Sequence, residues 1–144
     1  MTPDKARNGL PIPQGLYVPA VRRGDMIFTA GMTPRDQGVL QFTGIITASA
    51  DPAQHAEAVI LSCGNALAAA EAQLHPGEKI SAILSLTVFI AAEPGFTAHS
   101  KLADYASQFL KDCLGDAAIG TRAAIGVATL PGNAPVEIQL IAAV

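Results

Sequence analysis

Between Ile80 and Ile90 the chain alternates without a break. Ile80, Ala82, Leu84, Leu86, Val88 and Ile90 fall on one side of an extended backbone, and Ser81, Ile83, Ser85, Thr87 and Phe89 on the other. A period of two is the period of a strand. One side is wholly apolar and has to be covered, while the other is mixed, as on a sheet with one semi-polar face. Any fold for this chain must therefore be built around a sheet covered on one side.

Two helices are available as the cover. Asp51-Pro52 opens the first, with a capping carboxylate, a proline suited to the first helical position, and Gln54 completing a pattern like a capping box. Ala56, Ile60, Cys63, Leu67, Ala70 and Leu74 follow at spacings of four and three, one face of a helix that His75-Pro76-Gly77 ends. The second runs from about Thr97 to Leu114, with Leu102, Ala106, Phe109 and Cys113 on its apolar face and Gly115 as its stop. Further strands are expected at Leu16–Val21 and Met26–Ala30, joined as a hairpin through Arg22-Arg23-Gly24-Asp25, and at Val39–Ile46. The last two, Arg122–Leu130 and Val136–Ala142, read as a second hairpin through Pro131-Gly132-Asn133. Residues 1–14 read as an irregular arm, and 1–144 as a single domain. The order β-β-β-α-β-α-β-β predicts an α+β fold, a mixed sheet with two helices packed on one face.

Composition narrows the function. Half of the residues are hydrophobic and 15% are charged, so an oligomer that covers the second sheet face is expected. A net charge of −3, with Arg22-Arg23 as the one adjacent basic pair, gives no footprint for nucleic acid. No apolar run approaches the ~20 residues of a membrane span. The opening Met1-Thr2-Pro3-Asp4-Lys5 holds no apolar leader, and Cys63 and Cys113 lie outside any C-x-x-C pattern, so a reduced, cytoplasmic protein is expected. His55, His75 and His99 fall in different elements without ligand spacing, and neither a metal nor a cofactor is expected.

The chemistry points to the C-terminal end. From Gly120 to Val144 the only charges are Arg122 and Glu137. Charges in an apolar, β-rich run are expensive unless paired or used. Arg122 reads as a clamp for a carboxylate, whose geometry its fork matches, or as a strand-end arginine paired with a local acid. Glu137 reads as a group that orients or deprotonates water, as a salt bridge to Arg122, or as an exposed strand residue. In a simple hairpin centred near Asn133, Arg122 would face a residue near Val144. The two charges would then meet diagonally, through a ligand, or across a subunit boundary.

Arg122, Leu130-Pro131 and Val136-Glu137, in that order and spacing, resemble the C-terminal signature of the Rid superfamily. These are reactive-intermediate deaminases, also called YjgF-type or L-PSP-type proteins. Gly15-Leu16-Tyr17-Val18-Pro19 and then Gly24-Asp25-Met26-Ile27-Phe28-Thr29-Ala30-Gly31-Met32-Thr33-Pro34 are similar to the family's first two strands, and Asn65 also fits.

The resemblance implies a chorismate-mutase-like α+β fold of the bacillus type. It implies a homotrimer whose sheets face a central barrel, with ligand pockets between subunits. In such a pocket Arg122 would bind the carboxylate of a 2-imino or enamino acid, Glu137 would position water, and Tyr17 would form a wall. Ala30, Gly31, Ala124 and Pro131 would add contacts. The implied activity is that of a 2-iminobutanoate/2-iminopropanoate deaminase-like hydrolase acting on a small carboxylate metabolite. The alternatives are a trimer that binds small carboxylates without turnover, and an RNA-cleaving translation inhibitor. At three places the chain departs from deaminating members. Ala30 stands where they have serine, Ala124 where they often have cysteine, and the region of His99-Ser100 where they carry asparagine. These departures resemble a subgroup other than the archetypal deaminase.

Overall fold

The computed structural model describes residues 10–144, so most of the expected arm lies outside the described residues. Among the described residues seven strands form, β1 (Ala20–Arg23), β2 (Met26–Thr29), β3 (Arg35–Asp36), β4 (Val39–Leu40), β5 (Ala82–Ala91), β6 (Thr121–Val127) and β7 (Val136–Ala143). The long helices are α1 (Ala56–Glu71) and α2 (His99–Leu114). Five strands make one sheet in the order β1-β2-β7-β5-β6, and β3 and β4 make a separate ribbon. β5 pairs antiparallel with β7 and parallel with β6. The result is the α+β architecture expected, a mixed sheet with two helices on one side.

The C-terminal hairpin does not form. β6 and β7 are separated by β5, which hydrogen-bonds to both. The connection from β6 to β7 steps around the end of β5, where the Ala92 N–H donates to the Val127 carbonyl and the Ala91 N–H to that of Pro135. Ala128 to Pro135 is longer than the two to five residues of a hairpin loop. Its proline-led turn, Pro131–Asn133, does not fold the chain straight back. A parallel pair needs a long crossover, and α2 provides it.

Two other strand expectations shift. The first strand begins at Ala20 rather than Leu16, leaving Leu16, Tyr17 and Val18 exposed ahead of it. Val39–Ile46 is not one strand. Only Val39 and Leu40 pair, with β3, and Ile46 makes an isolated bridge to Ala92.

The alternation in β5 also changes phase. A register shift between Ile83 and Ser85 buries Ile83 and turns Leu84 outward, 39% exposed, before Leu86, Val88 and Ile90 resume the core face. The cause lies at the start of β6. Gly120 approaches the Ile83 carbonyl so closely that any Cβ would overlap it, and the Thr121 hydroxyl donates to the Leu84 carbonyl at 2.6 Å.

The core lies between this face and the helices. Asp51 caps the helical entry through the Ala53 N–H, at 3.0 Å, but the first turn is a 3-10 turn, Pro52–His55. α1 is buried around much of its circumference, at Val59, Leu61, Cys63, Ala66, Leu67 and Ala70. That is more than the single face predicted, because α1 is wedged between the sheet, α2 and β3. Its small residues permit such close approach. The Cys63 thiol, fully buried, is pushed well up by desolvation and sits 3.8 Å from the Ala106 carbonyl on α2. Among the described residues no helix is long and apolar enough to cross a membrane.

Arg22 ties β1 to the end of the helical layer. Its guanidinium makes a two-pronged bond to Glu78, at 2.6 and 2.8 Å, and also donates to the Gln73 carbonyl. Glu78 in turn accepts from the His75 N–H, and these partners hold its carboxyl down to about 2. A carboxyl depressed in the fold stabilises it above the ordinary carboxylate range, and that stabilisation is lost as pH falls toward 2. Glu78→Gln is therefore expected to melt lower than the parent at about neutral pH. The difference should close as thermal melts are taken down to about pH 2.

Candidate active site

Arg122 lies on β6, opposite Leu86 of β5, and so on the helix-covered face. β6 is an edge strand, and α2 runs along it. Arg122 donates to Asp104 Oδ1 at 2.8 Å, Ser107 Oγ at 2.9 Å, Ser100 Oγ at 2.9 Å and the Ser100 carbonyl at 3.2 Å. Its side chain is only 20% exposed, whereas that of Asp104 is 68% exposed. The local-acid pairing thus exists. Of these three, only Ser100 was named from the sequence; Asp104 and Ser107 were not, although the spacing of four and three marks a polar stripe on one helix face.

Glu137 lies on β7, opposite Phe89 of β5. Residues in register share a face, and successive residues alternate. Leu86 and Phe89 are three apart, so Arg122 and Glu137 project from opposite faces of the sheet. They are also separated by two strand spacings, roughly 10 Å, and by roughly 10 Å along the strands. Within one chain they do not meet, and a diagonal contact is ruled out.

Glu137 is half-buried on the face without helices, and makes no hydrogen bond or ion pair among the described residues. Burial pushes its carboxyl above the usual range. It rests against Gly31, where a Cβ would come 2.5 Å from Glu137 Oε2 and 2.8 Å from Cδ. A bridge between Met32 and Ile138 fixes this approach, with N–H to carbonyl distances of 2.7 and 2.9 Å. Glycine at 31 thus makes room for the carboxylate.

The other expected site residues divide. Tyr17 and Gly31 line one small cavity with Leu10, Pro11, Ile12, Gln14, Arg35 and Asn65. The Tyr17 hydroxyl accepts from the Gln14 N–H at 3.0 Å. Asn65 holds the cavity wall by donating to the carbonyls of Thr33 and Arg35. Ala30 and Ala124 both pack against the core. Pro131 is exposed and starts the turn between β6 and β7. His99 covers Gly126 on β6, where a Cβ would come 2.7 Å from its Nε2, and stands edge-on to Phe96. No three His, Cys, Asp or Glu side chains among the described residues gather as a metal site.

The bare face is apolar at its margins. Val21, Met26, Phe28 and Ile125 are each about two-fifths exposed there, around the more polar Ser85, Thr87 and Gln139.

A family model described as Endoribonuclease L-PSP matches residues 9–144. The chain belongs to the L-PSP family. YjgF of E. coli shares this fold, at 26% identity and a TM-score of 0.68, over 93% of this chain and 92% of that one. Atu1372 of Agrobacterium tumefaciens is 31% identical with a TM-score of 0.85, over 99% and 89% of the two chains. TdcF of E. coli, solved with serine bound, is 28% identical with a TM-score of 0.68, over 96% and 94%. Protein TCP17 of Trypanosoma cruzi is 28% identical over 127 residues, 87% of this chain and 79% of that protein. Membership of the L-PSP family supports a small-molecule deaminase or endoribonuclease-like role.

Two outcomes follow for Glu137. Its raised carboxyl makes the ionised form unfavourable in the fold, so stability falls as pH rises from the ordinary carboxylate value through the raised one. Glu137→Gln should therefore melt higher than the parent at about pH 8, and equally at about pH 4. Gly31→Ala should still fold, because the crowded atoms end a flexible side chain, and the displaced, less buried carboxylate should titrate nearer the usual range when followed by NMR.

Proposed function

We propose that this protein is a small-molecule hydrolase that deaminates carboxylate-bearing 2-imino or enamino acids at sites shared between subunits of a trimer. One observation carries the reading. Arg122 and Glu137 are the two charges of the C-terminal strands, yet one chain holds them on opposite faces. Arg122 sits at the sheet edge and Glu137 on the bare apolar face, and both surfaces suit coverage by another copy. A neighbouring subunit would bring its Glu137, Gly31 and Tyr17 toward this chain's Arg122. The serine bound to TdcF, a small molecule with a free carboxylate, supports the ligand class. The net charge of −3 favours a small ligand over RNA.

In the reaction Arg122 holds the substrate carboxylate, which presents the imine carbon to water. Glu137, with its carboxyl raised above the usual range by burial, accepts a proton from that water. The water oxygen bonds to the imine carbon while the nitrogen gains a proton. The resulting carbinolamine then expels ammonia as its carbonyl forms, leaving the 2-keto acid. Imine hydrolysis has a low intrinsic barrier. Ala30 and Ala124, partly buried against the core, bring no polar group, which leaves the clamp and the glutamate to do the chemistry.

Subunit mixing tests this reading. Imines generated with an amino-acid oxidase should be consumed by the parent, and about a hundredfold more slowly by Arg122→Ala and by Glu137→Gln. Refolded together, the two inactive variants should regain about a quarter of the parent rate, as random mixing across a ring interface restores one site in four. No recovery on mixing would sink the shared site. Equal rates for parent and Arg122→Ala would sink deamination here. Carboxylate-dependent thermal stabilisation without turnover would point instead to a binding trimer.

A further inference from the structure

Four of the five guanidinium N–H groups of Arg122 already have acceptors on α2, and Nε–H is the one left without a partner among the described residues. Asp104 and Ser107 hold Nη1 and Ser100 holds Nη2, so a ligand carboxylate reaches either end of the fork only by replacing a group already there.

The partners differ in how readily they give way. Ser100 and Ser107 are neutral and belong to the helix that seals the seam. Asp104 is the one anion among them, and its side chain is 68% exposed. It lines an open groove on the outer side of α2 with Lys101, Tyr105, Ser107 and Gln108. Lys101 stands one helical turn before Asp104 and forms no ion pair among the described residues. An Asp104 side chain leaving Arg122 thus has solvent and a second cation within a turn.

We propose that Asp104 is an internal carboxylate that holds the arginine until the carboxylate of a ligand displaces it. The proposal rests on the reading of Arg122 as the carboxylate clamp. Asp104 keeps the guanidinium oriented and paired within the chain. It also sets the affinity a ligand must exceed, and penalises any carboxylate that contacts the clamp without displacing it. The exchange swaps one carboxylate for another at the same fork, so the arginine is never left buried without an anion.

Calorimetric titration of the intact assembled protein with pyruvate, and in parallel with the uncharged pyruvamide, tests this. Asp104→Asn keeps the shape and an acceptor oxygen but removes the competing charge. It should tighten pyruvate binding about tenfold and leave pyruvamide unchanged. Asp104→Ser, which shortens the side chain, should act in the same direction. A merely structural role for Asp104 would move both ligands together. Asp104→Asn that binds pyruvate no tighter than the parent, while Arg122→Ala abolishes binding, overturns the displacement and leaves the clamp standing. Pyruvate binding unchanged in Arg122→Ala, or undetectable in every protein, overturns both. Binding detectable only once Asp104 is neutralised supports the displacement most directly.

Discussion

Everything else in this molecule is referred to one strand that hydrogen-bonds along both edges. β5 takes β7 on one side and β6 on the other, and a strand so held cannot slip by one residue without moving its core side chains to the wrong face. Leu86, Val88 and Ile90 therefore fix which residues of both neighbours face the helices. Arg122, Ala124 and Gly126 are placed with them, and Glu137 is placed against them. The one irregularity, the shift at Ile83–Ser85, lies where β6 begins and leaves this register untouched further along.

On the proposed reading, that register turns a pair of charges into two half-sites. Arg122 is oriented and neutralised by α2, so its chemistry is available at a sheet edge. Glu137 is oriented by Gly31 and destabilised as an ion by burial, so its chemistry is available on the uncovered face. Each environment suits its residue. A guanidinium keeps its charge and wants partners, whereas burial raises the carboxyl above the usual range and disfavours its ionised form. Assembly would complete the site without any change of fold.

Much of the architecture was legible in the sequence because it follows from periodicity. Both helices, the β1–β2 hairpin and β5 appeared as patterns of three to four or of two. The capping role of Asp51 could be named from its position before Pro52. The order of strands could not, because alternation says which residues share a face but not which strand lies beside which. The eight residues from Ala128 to Pro135 were the available warning against a C-terminal hairpin. At the site, Arg122 and Glu137 stood out because charges are rare in such strands. Gly31 came from the resemblance, and its physical reason, the nearness of the Glu137 carboxylate, needed coordinates. Asp104 was hidden in plain composition, one of two acids on an amphipathic helix, and only the spacing of Ser100, Asp104 and Ser107 could have marked it.

The strand order also bears on how the chain folds during synthesis. β5, α2 and β6 are consecutive and can assemble as a local unit, and β1 with β2 can close as a hairpin. Yet β7 is made after every other strand of the sheet, and it lies between β2 and β5. Until β7 emerges, the two pieces have no backbone ladder joining them, and β2 and β5 each expose an edge open to mispairing. Completion then depends on contacts between residues more than a hundred positions apart, such as Thr29 with Leu140, the kind of distant closure that slows folding. The seam that joins the halves of the sheet is thus also the last to be sewn, and a nascent chain without β7 leaves both of those edges unpaired.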